Sequence, residues 1–289
     1  MLTLTQLLDI LELTKIDENQ FEGKNYQTEW GRVFGGQVLG QSLHAAYQSV
    51  PKDRIAHSMH GYFILGGRID IPIQYQVECV RDGKSFTTRR VIASQEGKAI
   101  FIMAASFQKD ENGVEHQSSI PNVLTPNLLL TDLQQAEKLK TLDPDRYERL
   151  MRSHPQIFEF RPVDKAIYLN TDPSPAMSHT WFKTKEKVEL PLPVQHQLLA
   201  FASDYSLLLT ATLPHRQEMI RSKVFYASID HAIWFHRPFV IDDWLLYTTD
   251  SPSASNSRGF SRGSVYTREG RLVASMTQEG LMRTYQNKS

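Results

Sequence analysis

The two halves of this 289-residue chain contain the same elements in the same order. Each half opens with a helical pattern, over residues 35–50 and 194–213, and continues with four segments in which apolar and polar side chains alternate. Such an internal repeat predicts two similar structural units, and it limits the possible folds more than any other feature of the sequence. The alternating segments are 56–64, 73–80, 85–95 and 98–108 in the first half, and 224–236, 243–250, 258–268 and 271–283 in the second.

The last hairpin of each half gives the closest match between the two copies. Residues 95–98 (QEGK) correspond to residues 268–271 (REGR), and each places a glycine at the turn between two alternating runs. The shared order of elements favours an internal duplication over a chance match. The same offset of 173 residues, from 95 to 268, also pairs Arg89 with Arg262 and His57 with Asp230.

A polar segment with four prolines separates the two copies. We interpret residues 109–157 as a linker that wraps one domain onto the other, with a short helix around Leu130–Lys140. This places an N-terminal domain at residues 1–108 and a C-terminal domain at residues 158–289. The prolines are Pro121, Pro126, Pro144 and Pro155.

The order of elements within each copy predicts the fold. One helix followed by a run of antiparallel strands implies a sheet that curls around its helix. Two such sheets placed edge to edge would remove two exposed strand edges. The sequence therefore predicts the α+β class, with two tandem hot-dog domains (a double hot-dog), each an antiparallel sheet wrapped around a central helix.

The composition narrows the range of partners and sites. Lys plus Arg and Asp plus Glu both number 32, so the formal net charge is zero. This argues against nucleic acid as a partner, because nucleic-acid affinity depends on clustered positive charge. The single cysteine, Cys79, excludes an intramolecular disulfide and a cysteine-based zinc site. Its place in an alternating stretch predicts a small buried side chain.

The sequence gives no sign of export or of a membrane span. Residues 1–16 predict an amphipathic helix with Leu4, Leu7, Leu8 and Leu11 on one face, without the basic start and unbroken apolar run of a secretory signal. No stretch of 18 apolar residues occurs, and the end YQNKS is not the SKL-type peroxisomal signal. We therefore expect a cytoplasmic protein.

Several polar residues that lie within apolar patterns are candidate catalytic residues. Asp204 lies in the run LLAFASDYSLLL, where a buried carboxylate must be hydrogen-bonded, paired or shifted in pKa. The alternative is a side chain that points into solvent or bonds nearby backbone. Alternation places Tyr226, Ser228 and Asp230 on one strand face, and Gln278 lies in the last alternating segment. Each of these is equally compatible with a local hydrogen-bonding role.

Two short motifs lack the context that their chemistry needs. Residues 259–263 match the G-x-S-x-G nucleophile elbow, but the chain after Ser261 continues as a strand, whereas the elbow leads into a helix. Residues 34–37 (FGGQ) lack the spacing of a phosphate-binding loop. They either open a helix whose free N–H groups face a negative atom or only permit a tight entry into that helix.

The histidines do not indicate a metal. His57 and His60 face opposite sides of one strand, as do His231 and His236, and no nearby carboxylate completes a ligand set. We therefore predict no metal site.

Six longer stretches carry a resemblance to a known family. Together they make the chain similar, nearly from end to end, to the acyl-CoA thioesterase II family, the bacterial TesB type. The stretches are RVFGGQVLGQSLHAA (32–46), RDGKSFTTRRV (81–91), FASDYSLL (201–208), SIDHAIWFHRPF (228–239), SASNSRGF (253–260) and ASMTQEGLMR (274–283).

The resemblance implies a fold, an activity and a site. The fold is the double hot-dog, and the activity is cofactor-free hydrolysis of medium- to long-chain fatty acyl-CoA to free fatty acid and CoA. Assembly into homodimers or homotetramers is also implied. In this family an aspartate, a hydroxyl residue and a glutamine hold the attacking water, and the matching stretches assign these roles to Asp204, Ser228 and Gln278.

The chain departs from the family pattern at two places. The hydroxyl position is usually Thr, and Ser228 keeps the donor and acceptor but lacks the methyl group that restricts the rotamer. The family tends to have Arg-Pro-Gly after the first HxYF stretch, where this chain reads FILGG (63–67). We expect this loop to shape either the acyl tunnel or a subunit contact.

The sequence does not decide which residues bind the CoA phosphates, and it is also compatible with two other functions. Arg89, Arg258 and Arg262 are the candidate ligands for the CoA phosphates, although each also fits an ordinary surface position. A hot-dog hydratase acting on enoyl-CoA would use an Asp/His pair, and would then involve His57 or His231. A non-catalytic acyl-CoA-binding protein would need only a tunnel and a basic patch.

Overall fold

The computed structural model describes residues 2–285 of the chain. Residues 286–289, which carry the C-terminal sequence compared above with a peroxisomal signal, lie outside the described residues. None of the helices within residues 2–285 is both long and apolar enough to cross a bilayer.

The first half contains the predicted central helix and four strands. Helix α1 (Leu4–Leu11) precedes them and buries Leu4, Leu7 and Leu11, whereas Leu8 of the predicted apolar face is only partly buried. The sequence pattern does not reveal the hairpin of β1 and β2, because its two strands are only four residues long. The elements are β1 (Thr14–Asp17), β2 (Gln20–Gly23), α2 (Gly35–Tyr47), β3 (Ile55–Phe63), β4 (Ile73–Asp82), β5 (Phe86–Gln95) and β6 (Lys98–Gln108).

The segment between the halves forms several short helices. The prediction of one helix around Leu130–Lys140 is wrong in detail, because this stretch contains α3 (Asp132–Ala136) and the start of α4 (Leu139–Leu142). Helix α5 (Pro144–Ser153) follows, and the side chain of Asp143 caps its first turn.

The second half repeats the helix and its strands, with two strands added in front. These two strands are not evident from the alternation in the sequence. The elements are β7 (Phe158–Pro162), β8 (Met177–Thr184), α6 (Leu192–Ser203), a 3₁₀ helix (Leu208–His215), α7 (Arg216–Arg221), β9 (Lys223–Ser228), β10 (Asp230–Phe235), β11 (Leu245–Ser255), β12 (Arg258–Thr267) and β13 (Leu272–Tyr285).

The helix predicted over residues 194–213 is shorter than predicted. Helix α6 ends at Ser203, and Asp204 is its C-cap residue. A turn and the 3₁₀ helix then continue the apolar run. Both segments are largely buried, so their composition resembles that of one long helix although the chain bends after Ser203.

Strands β3 and β10 join the two halves into one antiparallel sheet. Met59 lies opposite Ile233 at the centre of this junction. This pairing confirms the edge-to-edge arrangement expected from the sequence. The order of the strands is β1-β2-β4-β5-β6-β3-β10-β13-β12-β11-β8-β7, and β9 pairs with β13.

A β-bulge separates β9 from β10, so the single strand predicted over residues 224–236 is divided. Both strands pair with β13, with Ser228 opposite Gly280 and Ala232 opposite Thr277. Residues 228 to 232 thus span four steps along β9 and β10, whereas their partners 280 to 277 span three steps along β13. The β9–β10 side therefore contains one extra residue, which forms the bulge. The bulge interrupts the alternation that the sequence predicts here.

Helices α2 and α6 pack against each other at the centre of the molecule. A Cβ on Gly36 would lie 2.4 Å from the carbonyl oxygen of Phe201, so only glycine permits this approach. Helix α2 contacts strands β2 to β6, and the 3₁₀ helix contacts β8 and β11 to β13. The predicted α+β double hot-dog architecture is confirmed.

The predicted burial of Cys79 is wrong, because this residue is exposed. Strand β2 covers β4 only as far as Gln76. The pairing of β4 with β5 also shifts register between Cys79 and Arg81, so the alternation of buried side chains stops before Cys79.

Candidate active site

A cavity of about 640 Å³ opens where the two halves of the chain meet. The first half contributes the N-terminus of α2 and the whole of loop 63–67, at which the chain departs from the family pattern. The second half contributes the turn after α6 and the end of β9. The wall is mainly apolar, and its polar groups include Asp204 and Ser228.

Asp204 is held at the end of a buried helix. Its side chain is only 5% exposed, and its Oδ1 accepts a hydrogen bond of 2.7 Å from Gln278 Nε2. The N–H of Gly36, in the first turn of α2, also donates to this carboxylate. The carboxylate is therefore both buried and hydrogen-bonded. Of the two alternatives that the sequence allowed for Asp204, this excludes a side chain that points into solvent.

Gln278 connects the carboxylate to the hydroxyl of Ser228. The Nε2 of Gln278 lies 3.0 Å from Ser228 Oγ and 2.7 Å from Asp204 Oδ1, so the two amide hydrogens serve one acceptor each. Because Ser228 accepts this bond, its own hydrogen is free to donate to another group. The structure thus brings together the three residues that the family resemblance selects.

The electrostatic environment makes Asp204 a stronger base than an ordinary aspartate. Burial raises its pKa from 3.8 to about 7, although the hydrogen bonds from Gln278 and Gly36 act in the opposite direction. A carboxyl group with a pKa near neutrality can take up and return a proton under physiological conditions.

The glycines at the start of α2 permit close approach to the carboxylate. A Cβ on Gly35 would lie 2.6 Å from Asp204 Oδ2, so no larger residue fits without displacing that group. The N–H of Gly36 faces a negative atom, which is one of the two interpretations given for FGGQ. The other, a tight entry into the helix, also holds because Gly36 contacts Phe201. Helix α2 thus presents its positive end to Asp204.

The arginines predicted from the sequence lie elsewhere and are already paired. Arg89 is 2% exposed, and its guanidinium donates to Ser49 and to Asp82 within the first half. This burial leaves Arg89 without a surface on which to bind a phosphate. Two other pairs are Arg258 with Glu279, and Arg262 with Asp250.

One arginine that the sequence interpretation missed borders the cavity. Arg32 is exposed, lines the cavity and makes no ion pair with the described residues. Its guanidinium carbon lies 5.9 Å from the ring centroid of Phe225. Its position just before FGGQ is the only sequence signal that could have drawn attention to it.

The histidines do not converge on a metal. Within residues 2–285 there is no group of three or more His, Cys, Asp or Glu side chains that could hold an ion. His57 bonds Ser106, and His236 bonds Ser275. Nδ1 of His231 lies 3.8 Å from Asp204 Oδ1, but this single pair does not complete a metal-ligand set among the described residues.

The G-x-S-x-G motif lies within a strand, as predicted. Ser261 is in the middle of β12, is fully buried and is not a residue of the cavity wall. It therefore lacks the exposed turn of a nucleophile elbow.

Known proteins resemble this chain over nearly its whole length. Residues 153–281 match the family described as acyl-CoA thioesterase, and residues 26–108 match the acyl-CoA thioesterase N-terminal domain. The chain is 38% identical to acyl-CoA thioesterase 2 of Haemophilus influenzae, over 97% of this chain and 98% of that protein. It is 37% identical to human acyl-coenzyme A thioesterase 8, over 95% of this chain and 88% of that protein.

Solved structures also resemble this chain over nearly its whole length. The crystal structure of the acyl-CoA thioesterase II TesB2 from Mycobacterium marinum is 35% identical, with a TM-score of 0.80 over 96% of this chain and 98% of that chain. A hot-dog protein of unknown function from Alicyclobacillus acidocaldarius is 18% identical, with a TM-score of 0.74 over 96% of this chain and 97% of that chain. The second likeness concerns the fold alone.

Proposed function

Because the chain belongs to the acyl-CoA thioesterase II family, and is thus a hydrolase of acyl-CoA thioesters, we propose that it cleaves medium- to long-chain fatty acyl-CoA by direct attack of water. The observation that carries this proposal is that Asp204 and Ser228 line one mainly apolar cavity while the buried amide of Gln278 bonds both of them.

Asp204 acts as the general base in this mechanism. Its carboxylate takes a proton from a water molecule as the water oxygen forms a bond to the thioester carbonyl carbon. The Ser228 hydroxyl, which Gln278 orients, positions the same water. Holding the water and the base in one geometry is a large source of rate acceleration.

The N-terminus of α2 is suited to stabilise the negative charge that develops on the thioester oxygen. Gly35 lines the cavity in the first turn of this helix, where backbone N–H groups have no partner within the helix. We assign its N–H as an oxyanion donor. When the tetrahedral intermediate collapses, the carbon–sulfur bond breaks and the CoA thiolate takes the proton from Asp204. The base is then regenerated as a carboxylate.

The mainly apolar wall of the cavity favours a long acyl chain as the bound group. Ile64 and Leu65 in loop 63–67 are about half exposed and line the cavity, so they offer apolar surface to an acyl chain. Arg32 lies at the same cavity and provides a positive charge for a CoA phosphate.

Thiol-release kinetics over a series of acyl-CoA chain lengths tests the proposal. We expect turnover that rises from short to medium and long chains and that Asp204→Asn lowers by orders of magnitude. Near-normal thiol release by Asp204→Asn would refute the assignment of the base. Tight binding of acyl-CoA without turnover by the wild type would instead favour the non-catalytic acyl-CoA-binding function.

The hydratase alternative has one structural observation in its favour, the proximity of His231 to Asp204. His231 is fully buried and is not part of the cavity wall, so it cannot contact a substrate in this conformation. Consumption of an enoyl thioester without release of thiol would favour this alternative.

Self-association is a further part of the proposal and rests on the family resemblance. We expect a homodimer or homotetramer. Light scattering at micromolar concentration tests this expectation.

A further inference from the structure

His231 is a buried histidine whose two ring nitrogens have different environments. It lies on β10 and is fully buried. Its Nε2 is 3.0 Å from Ser203 Oγ. Its Nδ1 is 3.8 Å from Asp204 Oδ1 and has no hydrogen-bond partner among the described residues.

The hydrogen bonds of Ser203 indicate which ring nitrogen of His231 carries the hydrogen. The single hydroxyl hydrogen of Ser203 is donated to the carbonyl oxygen of Ala200, at 2.9 Å. With its hydrogen donated to Ala200, Ser203 Oγ accepts from the imidazole, and the corresponding tautomer of His231 carries its hydrogen on Nε2. Burial lowers the pKa of His231 to about 3, so the ring is neutral at physiological pH. A neutral ring protonated at Nε2 has a bare lone pair at Nδ1.

This lone pair faces a carboxylate oxygen. Two acceptors that face each other across 3.8 Å repel when Asp204 is ionised. When Asp204 is protonated, the negative charge is lost, and a proton on Oδ1 can be donated to Nδ1 once the two atoms move to hydrogen-bond distance.

No charged side chain among the described residues acts on Asp204 in place of His231. The titratable side chains that act on Asp204 from the neighbouring elements are tyrosines, and burial raises the pKa of each, so all are neutral. Within residues 2–285 no Lys or Arg forms an ion pair with Asp204. The tyrosines are Tyr26 before α2, Tyr205 after α6 and Tyr247 on β11.

We propose that His231 is a positioning residue whose bare Nδ1 favours the protonated form of Asp204. It thereby makes the carboxylate a stronger base for the attacking water without touching the substrate. The catalytic consequence rests on the proposed function, whereas the effect on the titration of Asp204 does not.

The test compares two histidine variants. His231→Gln removes Nδ1 but keeps an amide that can donate to Ser203. The matched control is His196→Asn, at a second fully buried histidine whose Nδ1 bonds the hydroxyl of Tyr47. The carboxyl group of Asp204 is titrated by NMR in protein labelled with ¹³C at the aspartate side-chain carbon, and the signal missing from Asp204→Asn gives the assignment.

We expect the pKa of Asp204 to fall by about one pH unit in His231→Gln and to stay unchanged in His196→Asn. The acid limb of the kcat profile for thiol release should move to lower pH by the same amount. A pKa of Asp204 that is unchanged or higher in His231→Gln would overturn the proposal, even if kcat had fallen.

A second measurement needs no substitution and covers the case in which His231→Gln does not fold. ¹⁵N NMR of the imidazole groups in the wild-type protein shows which ring nitrogen carries hydrogen. A His231 protonated only at Nε2 between pH 6 and 8 supports the proposal, and one protonated at Nδ1 overturns it. Activity of Asp204→Asn bears on the proposed function and leaves both NMR results unaffected.

Discussion

Replacing Asp204 with Asn should stabilise the folded protein at neutral and alkaline pH. Burial raises the pKa of this carboxyl from 3.8 to about 7. Between these pH values the unfolded chain has lost the proton while the folded protein still holds it. The free energy of unfolding of the wild type therefore falls as the pH rises through this window, and it is constant above it.

The size of the effect follows from the change in pKa. About three pH units at 1.36 kcal/mol each give about 4 kcal/mol, an upper limit because the folded protein relaxes around the charge. Asn carries no charge at any pH, and its Oδ1 can still accept from Gln278. We expect the stability of Asp204→Asn relative to the wild type to rise by about 2 to 4 kcal/mol from pH 4 to pH 8.

Urea unfolding at several pH values and one protein concentration measures this difference. Ser228→Ala is the matched control, because it removes a neutral hydroxyl beside the same site and leaves the titrating group in place. Its stability difference from the wild type should not change with pH. A pH-independent difference for Asp204→Asn, or one that is larger at pH 4 than at pH 8, would refute the reasoning.

Three substitutions test other parts of the site by thiol-release kinetics. Ser228→Thr should keep kcat within about threefold, because it retains the hydroxyl; complete loss of activity would show that Ser228 has another role. Gly35→Ala should lower kcat by about 100-fold with cooperative unfolding preserved, because its Cβ would lie 2.6 Å from Asp204 Oδ2; wild-type kcat would contradict the assigned geometry. Arg32→Gln should raise KM for acyl-CoA by up to about tenfold at low salt and weaken its salt dependence; an unchanged KM would exclude a role in phosphate binding.

Periodicity predicts most of the secondary structure because each central strand buries one face. The strands β3 to β6 and β11 to β13 all lie at the predicted places. Burial alone does not locate where a buried segment bends, and this is why the end of α6 before Asp204 and the bulge after Ser228 are not evident from the pattern. The helix end places the side chain of Asp204 at the cavity, and the bulge follows Ser228, which also lines it.

The candidate site was accessible to sequence reasoning mainly through the family resemblance. Asp204 and Gln278 are 74 residues apart, and no local pattern predicts their hydrogen bond. Arg89 illustrates the opposite limitation. Arginine is rarely buried, so its burial with Asp82 and Ser49 could not be expected from residue type. His231 occupies a strand position with no sequence signal that distinguishes it from an ordinary core residue.

The duplicated halves of the chain have become unequal. At the offset of 173 residues, the counterparts of Ser228 and Gln278 are Ile55 and Ala105, which have no side-chain hydrogen-bonding group. The first copy therefore supplies the glycine-led helix end, and the second supplies the carboxylate, the hydroxyl and the amide. Under the proposed mechanism, the described residues of both copies therefore build one shared reaction centre, and neither copy is catalytically complete without the other.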